Sequence, residues 1–276
     1  MKHLNLISYF GGKFPHLSWL ISKFPRGNYH FVDIMCGSAN VALNVNYPLV
    51  TINDLNNNVI NLFEVLRNNP DEFFRALYFT PFARKELEQI VNDKNDIQDK
   101  VELARRYFVR SQLGYGANGS QNNHHGFGLE YKLQSSNFYR VDNWNAKLAK
   151  LPSIIDKLRG FQIENKSMFD LFERVNNQDT IVYFDPPYLF STRSSRKRYQ
   201  FEWDIEDHQK LACLVKNAVC KVAISGYDDD QYDKLFPDYF KTNAPPSRSN
   251  VRKRLVQECL WTNYNPEEYG SLKLDL

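Results

Sequence analysis

The sequence predicts an α/β protein: a mostly parallel sheet covered on both faces by helices, closed by an antiparallel hairpin and interrupted by a helical insertion. Three observations carry this. Short apolar runs of strand character alternate with stretches of helical period over most of the 276 residues, which implies parallel strands joined by covering helices. From about residue 70 to 150 the alternation is interrupted, by stretches of helical period and then by a Gly-, Asn- and His-rich loop. The last two apolar runs are joined by a Pro-, Ser- and Arg-rich loop and not by a helix, as in a hairpin.

Taken in order, Tyr9-Phe10-Gly11-Gly12-Lys13 reads as a tight turn ahead of an amphipathic helix. Residues 30–35 (HFVDIM) form the first strand, and Cys36-Gly37-Ser38-Ala39 turns from it into a helix expected over 38–46. The second strand spans 49–53 and leads into a helix over 56–67. Three helices then belong to the insertion, at 70–78, 82–92 and 97–113, with a charged turn at 93–99. Residues 114–128 (GYGANGSQNNHHGFG), dense in Gly, Asn and His, read as an exposed loop. Strands resume at 161–164, 180–185 and 221–225, with helices at 168–174 and 206–217, and the closing hairpin pairs 239–244 with 255–263. Residues 1–69 and 151–276 are therefore expected to form one domain, with 70–150 inserted into it.

Composition excludes several classes. Thirty-five Lys and Arg against thirty-two Asp and Glu give +3, which permits a polyanionic partner without arguing for one. The four cysteines, Cys36, Cys213, Cys220 and Cys259, form no Cys-x-x-Cys pair, so neither a zinc site nor a disulfide framework is indicated and a reducing cytoplasm fits. No apolar run approaches the roughly 20 residues a membrane span needs, and the first ten residues have no leader pattern. A soluble cytoplasmic protein without a bound metal is expected.

Asp185-Pro186-Pro187-Tyr188 follows an apolar strand and so sits at the carboxyl end of the sheet, where open α/β folds bind ligands. An exocyclic amine on a base is a poor nucleophile because its lone pair is delocalised into the ring. The Asp185 carboxylate and Pro186 carbonyl can accept its two hydrogens and free that lone pair, while Tyr188 offers a flat face for stacking. A Pro-rich turn with a capping Asp accounts for the same residues equally well. Gly37 and the small residues after it allow close backbone approach to a ligand. Asp54, ending the second strand some 20 residues on, is placed for ribose hydroxyls or as a helix N-cap. Lys13 can meet a carboxylate or lie in solvent.

In this order, with Leu189-Ser195, Asp207-His208, Ser225-Gly226-Tyr227 and Cys259-Leu260-Trp261 continuing it, the chain resembles the Dam-type, D12-class DNA adenine N6-methyltransferases over nearly everything outside 70–150. The resemblance implies a Rossmann-like S-adenosylmethionine-dependent methyltransferase sheet with an inserted target-recognition region at 70–150. It implies S-adenosyl-L-methionine as cofactor, with contacts at Tyr9, Lys13, Asp33, Cys36, Gly37, Ser38, Asp54, Ser167 and Asp185. Asp185, Pro186, Pro187 and Tyr188 fall on the catalytic tetrapeptide. Two positions depart from the family pattern. Ala39 replaces a second glycine, with slight crowding expected, and Ser167 replaces an acidic residue, for which Asp170 is a possible substitute.

The expected partner is double-stranded DNA, with a companion restriction nuclease as a further candidate and no obligate protein partner. Candidate DNA contacts are Arg110, Tyr115, Asn118, Asn123 and Arg140 in the insertion, and Arg193, Arg196, Lys197 and Arg198 after the tetrapeptide; Arg105, Arg106, Gln121, Arg248, Arg252, Lys253 and Arg254 add to the basic and amide-rich clusters. For each charge run a solvated face is the competing reading. The expected reaction is direct methyl displacement onto N6 of an adenine extruded from the duplex. Cytosine N4, an RNA adenine or a side-chain amide are rival acceptors, and a catalytically inactive DNA-binding relative is the rival of another class.

Overall fold

The computed structural model describes residues 3–9, 11–114, 126–128, 140–189, 202–245 and 257–270. Among these, seven strands form one sheet in the order β3-β2-β1-β4-β5-β7-β6. Strands β1 (His30–Asp33), β2 (Leu49–Asn53), β3 (Phe161–Glu164), β4 (Thr180–Phe184) and β5 (Lys221–Tyr227) are parallel. Strand β7 (Glu258–Thr262) runs antiparallel between β5 and β6 (Phe240–Asn243). Each strand lies within three residues of its expected bounds. The central strands β1, β2, β4, β5 and β7 are apolar because both faces of the sheet are covered there, so nearly every position in them is buried, whereas the edge strands β3 and β6 are partly exposed. This is the Rossmann-like arrangement the sequence implies, with the strand order reversing between β1 and β4.

The helices follow local signals. Helix α1 (Leu17–Ser22) comes after a 3-10 turn at Phe14–His16. Helix α2 (Asn57–Asn68) starts where the Asn56 side chain accepts from the Asn58 amide, and buries Val59, Leu62, Phe63 and Leu66, one stripe at helical spacing. Helices α3 (Pro70–Tyr78), α4 (Arg84–Asn92) and α5 (Lys100–Leu113) fill the insertion. Helix α6 (Arg140–Arg159) is followed by α7 (Met168–Val175), α8 (Ile205–Val215) and α9 (Asp230–Leu235).

Two helical expectations change. The helix expected over 38–46 shrinks to a 3-10 turn at Ala42–Asn44, because Gly37 and Ala39 take φ of 49° and 52°, outside the helical region. Helix α6 was not expected, its apolar stripe being masked by polar residues and by Pro152 inside it. It runs unbroken through residue 150, where the sequence reading resumes the main domain.

Among the described residues the insertion has no core of its own. Phe73, Leu77, Leu87, Tyr107 and Phe108 join Val50, Ile52 and Phe63 in one cluster on one face of the sheet. On the other face Leu171, Phe172, Leu211, Val215 and Trp261 pack with Val182 and Ile224. Burial of each such side chain stabilises by roughly 1.5–3 kcal/mol, and the insertion helices share this cluster with α2 and the sheet. Among the described residues no helix is long and apolar enough to cross a membrane.

Candidate active site

The carboxyl ends of the parallel strands are stitched together before any ligand arrives. The Asn53 side chain donates to the carbonyls of Ile34 at 2.9 Å and Lys166 at 3.1 Å, joining the ends of β1, β2 and β3. Asp54 follows, but it is not the N-cap of α2; Asn56 is. Asp54 Oδ2 instead accepts from the Gly37 amide at 2.8 Å, and its Oδ1 from the Asn56 amide at 2.8 Å. One carboxylate thus fixes two turns. Burial raises its carboxyl above the usual range, an effect these two amides oppose.

Gly37 is required twice over. Its φ is in the left-handed region, and a Cβ there would lie 2.8 Å from the Tyr9 ring. Ala39 shares that region at φ 52°, so the departure from the family's second glycine carries backbone strain, on the order of 1 kcal/mol.

All nine residues expected around the cofactor line one cavity at this edge: Tyr9, Lys13, Asp33, Cys36, Gly37, Ser38, Asp54, Ser167 and Asp185. Among the described residues, four that line it bear carboxyls (Asp33, Asp54, Asp185 and Asp207) against the single ammonium of Lys13. Asp33 Oδ1 and Asn40 Oδ1 are buried with no hydrogen-bond partner among the described residues. Burial, then the neighbouring Asp185 charge, pushes the Asp33 carboxyl well up. Ser167 caps α7, its hydroxyl accepting from the Phe169 amide at 3.2 Å, while Phe169 and Leu55 add exposed apolar surface to the lining. Asp170, the expected substitute for the missing acidic residue, is exposed and does not line the cavity. Cys36 is buried and its thiol is pushed well above the usual range by burial, the opposite of a nucleophilic cysteine.

Asp185 sits between two fixed donors. The Lys13 ammonium donates to Oδ1 at 2.6 Å and the Ser225 hydroxyl to the same oxygen at 2.9 Å. The Ser225 oxygen in turn lies 2.9 Å from the Tyr183 hydroxyl, which therefore donates to it. Among the described residues nothing bonds Oδ2, which leaves that oxygen for a substrate donor. Tyr188 differs from expectation. Its ring is only 6% exposed, the Lys13 ammonium lies 4.6 Å from its centroid, and Tyr227 meets it edge-on. Its hydroxyl donates to Glu258, a buried carboxylate on β7 that also lies 3.6 Å from Lys13. Pro187 lines the cavity, whereas Pro186 and Tyr188 do not.

Tyr183, Ser225 and Glu258 are functional-site neighbours that sequence reasoning did not assign. Their signal was present in part: Ser225 and Glu258 are polar residues inside otherwise apolar strand runs.

The expected DNA contacts divide differently. Tyr115, Asn118, Asn123, Arg193, Arg196, Lys197 and Arg198 lie outside the described residues, as do Gln121, Arg248, Arg252, Lys253 and Arg254. Arg105 is committed to Glu86 and Glu102, and Arg106 to Asp93 and Glu102, so both serve packing among the insertion helices and are removed from the set. Arg110 on α5 is partly buried with no carboxylate against it among the described residues; Arg140 begins α6 and packs over Gly128.

A model of the D12 class N6 adenine-specific DNA methyltransferase family matches residues 9–248. The chain is 25% identical over 281 residues to the type II methyltransferase M1.LlaDCHI of Lactococcus lactis subsp. cremoris, covering 92% of this chain and 93% of that one. It is 22% identical over 272 residues to the DNA adenine methylase of Escherichia coli (strain K12), covering 94% and 95%. Against the modification methylase StsI of Streptococcus sanguinis it is 24% identical over 293 residues, covering 96% of this chain but 44% of StsI, so it spans less than half of that protein. The chain belongs to the D12 class of N6 adenine-specific DNA methyltransferases.

Proposed function

We propose that this protein methylates adenine N6 in double-stranded DNA, with S-adenosyl-L-methionine as donor and the target adenine flipped out of the duplex. The observation that carries the reading is Asp185, held on one oxygen by Lys13 and Ser225 with the other left for a substrate amine. An adenine inside the stack cannot bring N6 to a buried edge, hence the flip, at a cost of a few kcal/mol.

The cavity suits this donor chemically. Among the described residues its lining carries more carboxyls than cations, which favours a cationic donor over a polyphosphate nucleotide. The orphaned acceptors Asp33 Oδ1 and Asn40 Oδ1 call for a ligand rich in donors, as an ammonium, an adenine amine and ribose hydroxyls are. Asp33 and Asn40 would hold the amino-acid end, Asp54 the ribose, and Leu55, Ser167 and Phe169 the adenine. When bound, the sulfonium supplies an electrophilic methyl group with a good leaving group.

The protein's part is orientation and polarisation. Asp185 Oδ2 and the Pro186 carbonyl accept the two N6 hydrogens, which draws the amine from planarity and exposes its lone pair; as N6 gains the methyl group it gives up one of these protons, by way of Asp185, to solvent. Lys13 and Ser225 hold Asp185 so that little reorganisation is needed, which accounts for much of the acceleration. No covalent intermediate on the protein is required. Residues 70–150 are proposed to recognise the target and 1–69 with 151–276 to carry catalysis. Arg110 and Arg140 remain candidates for phosphate or base contacts. A companion restriction nuclease is consistent with the modification methylases among the relatives.

The test is transfer of labelled methyl from S-adenosylmethionine to unmethylated duplex DNA, single-stranded DNA and RNA, with product nucleosides identified by mass spectrometry. N6-methyladenine from duplex DNA is the expected product. N4-methylcytosine, or label confined to RNA, would overturn the acceptor; donor binding without any transfer would favour an inactive relative.

A further inference from the structure

Glu258 is absent from the mechanism above, yet it sits at its centre. It is the first residue of β7 and pairs in register with Tyr227 at the end of β5. Because β7 alone runs antiparallel to β5, its first residue emerges at the same edge as the carboxyl ends of the parallel strands. The topology thereby delivers a carboxylate from late in the chain to a site otherwise built from strand ends. Glu258 is 5% exposed, which is costly for a charge unless something compensates. Two groups do so: the Tyr188 hydroxyl donates to Oε1, and the Lys13 ammonium lies 3.6 Å from the same oxygen.

Lys13 therefore lies between two carboxylates, Asp185 at 2.6 Å and Glu258 at 3.6 Å, with the Tyr188 ring beneath it. An ammonium shared in this way pulls less on Asp185 than one devoted to it. That matters because Asp185 must accept a hydrogen bond from the substrate amine, and a tighter ion pair weakens it as an acceptor. The same carboxylate fixes the last residue of the tetrapeptide by its hydroxyl.

We propose that Glu258 is a positioning residue of the methyl-transfer site, holding Tyr188 by its hydroxyl and sharing Lys13 with Asp185 so that the Asp185 carboxylate keeps its acceptor strength and orientation. The proposal rests on the reading of Asp185 as the acceptor of the substrate amine. Glu258 does not line the donor cavity, so its effect belongs to the transfer rate and not to donor affinity.

The test compares wild type with Glu258→Gln, Glu258→Ala, Tyr188→Phe and the Glu258→Gln/Tyr188→Phe double variant, reading single-turnover methylation of duplex DNA and S-adenosylmethionine affinity. Glu258→Gln keeps an acceptor for the tyrosine but removes the charge, and should slow transfer about tenfold. Glu258→Ala removes both and should slow it about a hundredfold, so that the amide partly rescues. Donor affinity should stay within threefold in every variant. The double variant should be slower than Glu258→Gln by less than Tyr188→Phe alone slows wild type, since both act through one contact. Wild-type rates in Glu258→Gln, a rate loss matched by an equal loss of donor affinity, or additive effects in the double variant would each overturn the proposal. Asp185→Ala runs alongside: full activity in that variant would refute the underlying site reading, whereas an inactive Asp185→Ala beside fully active Glu258 variants would refute only the role of Glu258. Tyr188→Phe alters one exchangeable contact and gives the same readout should Glu258→Ala fail to fold.

Discussion

Removing the Ser225 hydroxyl separates what holds the site together from what makes it fast. Ser225 is fully buried and serves two neighbours, donating to Asp185 Oδ1 at 2.9 Å and accepting from the Tyr183 hydroxyl at 2.9 Å. Among the described residues, in Ser225→Ala the Asp185 carboxylate keeps only Lys13, and the buried Tyr183 hydroxyl loses its acceptor. The first loss removes a hydrogen bond to a charged group, about 1.5–3 kcal/mol in stability terms. If most of that orients Asp185 in the transition state, transfer slows about 10- to 100-fold at 1.36 kcal/mol per decade. The second loss leaves an orphaned buried hydroxyl, about 1–3 kcal/mol, which lowers Tm by about 2–4 °C per kcal/mol in a chain of this size. Adding Tyr183→Phe removes the orphan, so Tm should recover most of its loss while the rate stays low. Thermal melts and single-turnover transfer from labelled donor read the two quantities separately. Wild-type rate in Ser225→Ala, or recovery of rate together with Tm in the double variant, would refute the reasoning.

Other expectations follow from the same geometry. Gly37→Ala places a Cβ 2.8 Å from the Tyr9 ring at a left-handed backbone position, and should weaken donor binding tenfold or more by calorimetry; unchanged affinity would show that Tyr9 and this turn do not shape the cavity. Arg105→Ala should lower Tm by several degrees and leave DNA affinity within twofold, because its guanidinium is spent on Glu86 and Glu102; a large loss of DNA binding would contradict that. Lys147, whose ammonium donates to Asn5 Oδ1 and the Leu6 carbonyl, has its pKa pulled down to about 7 by burial. The unfolded chain then binds more protons between about pH 7 and about pH 10, so stability should rise with pH across that window. Lys147→Met should flatten the rise in urea melts, and an unaltered pH dependence would exclude this lysine as its source.

The sheet was legible because both of its faces are buried: continuous runs such as Thr180–Phe184 carry a strand signal that needs no partner to be recognised. The cavity was legible because its residues sit at strand ends, where a local motif and its place in the fold coincide. What stayed hidden depends on contacts far apart in sequence. Glu258 meets Tyr188 across 70 residues and Ser225 meets Asp185 across 40, and no local pattern encodes either meeting. The helix over 38–46 fails for a reason visible only in the backbone, since the left-handed conformation of Ala39 is one that alanine seldom adopts. Arg105 and Arg106 read as a basic patch in sequence because their carboxylate partners come from a separate helix and turn as well as from Glu102 nearby.

The most direct test of the central claim is single-turnover methylation of unmethylated duplex DNA by wild type and Asp185→Asn, with S-adenosylmethionine binding measured on the same preparations. Asparagine keeps the shape of the side chain but loses the charge that Lys13 and Ser225 hold in place. A fall in N6-methyladenine formation of about a thousandfold or more, about 4 kcal/mol, with the donor still bound, is the result the account predicts. Transfer near the wild-type rate in Asp185→Asn would contradict it.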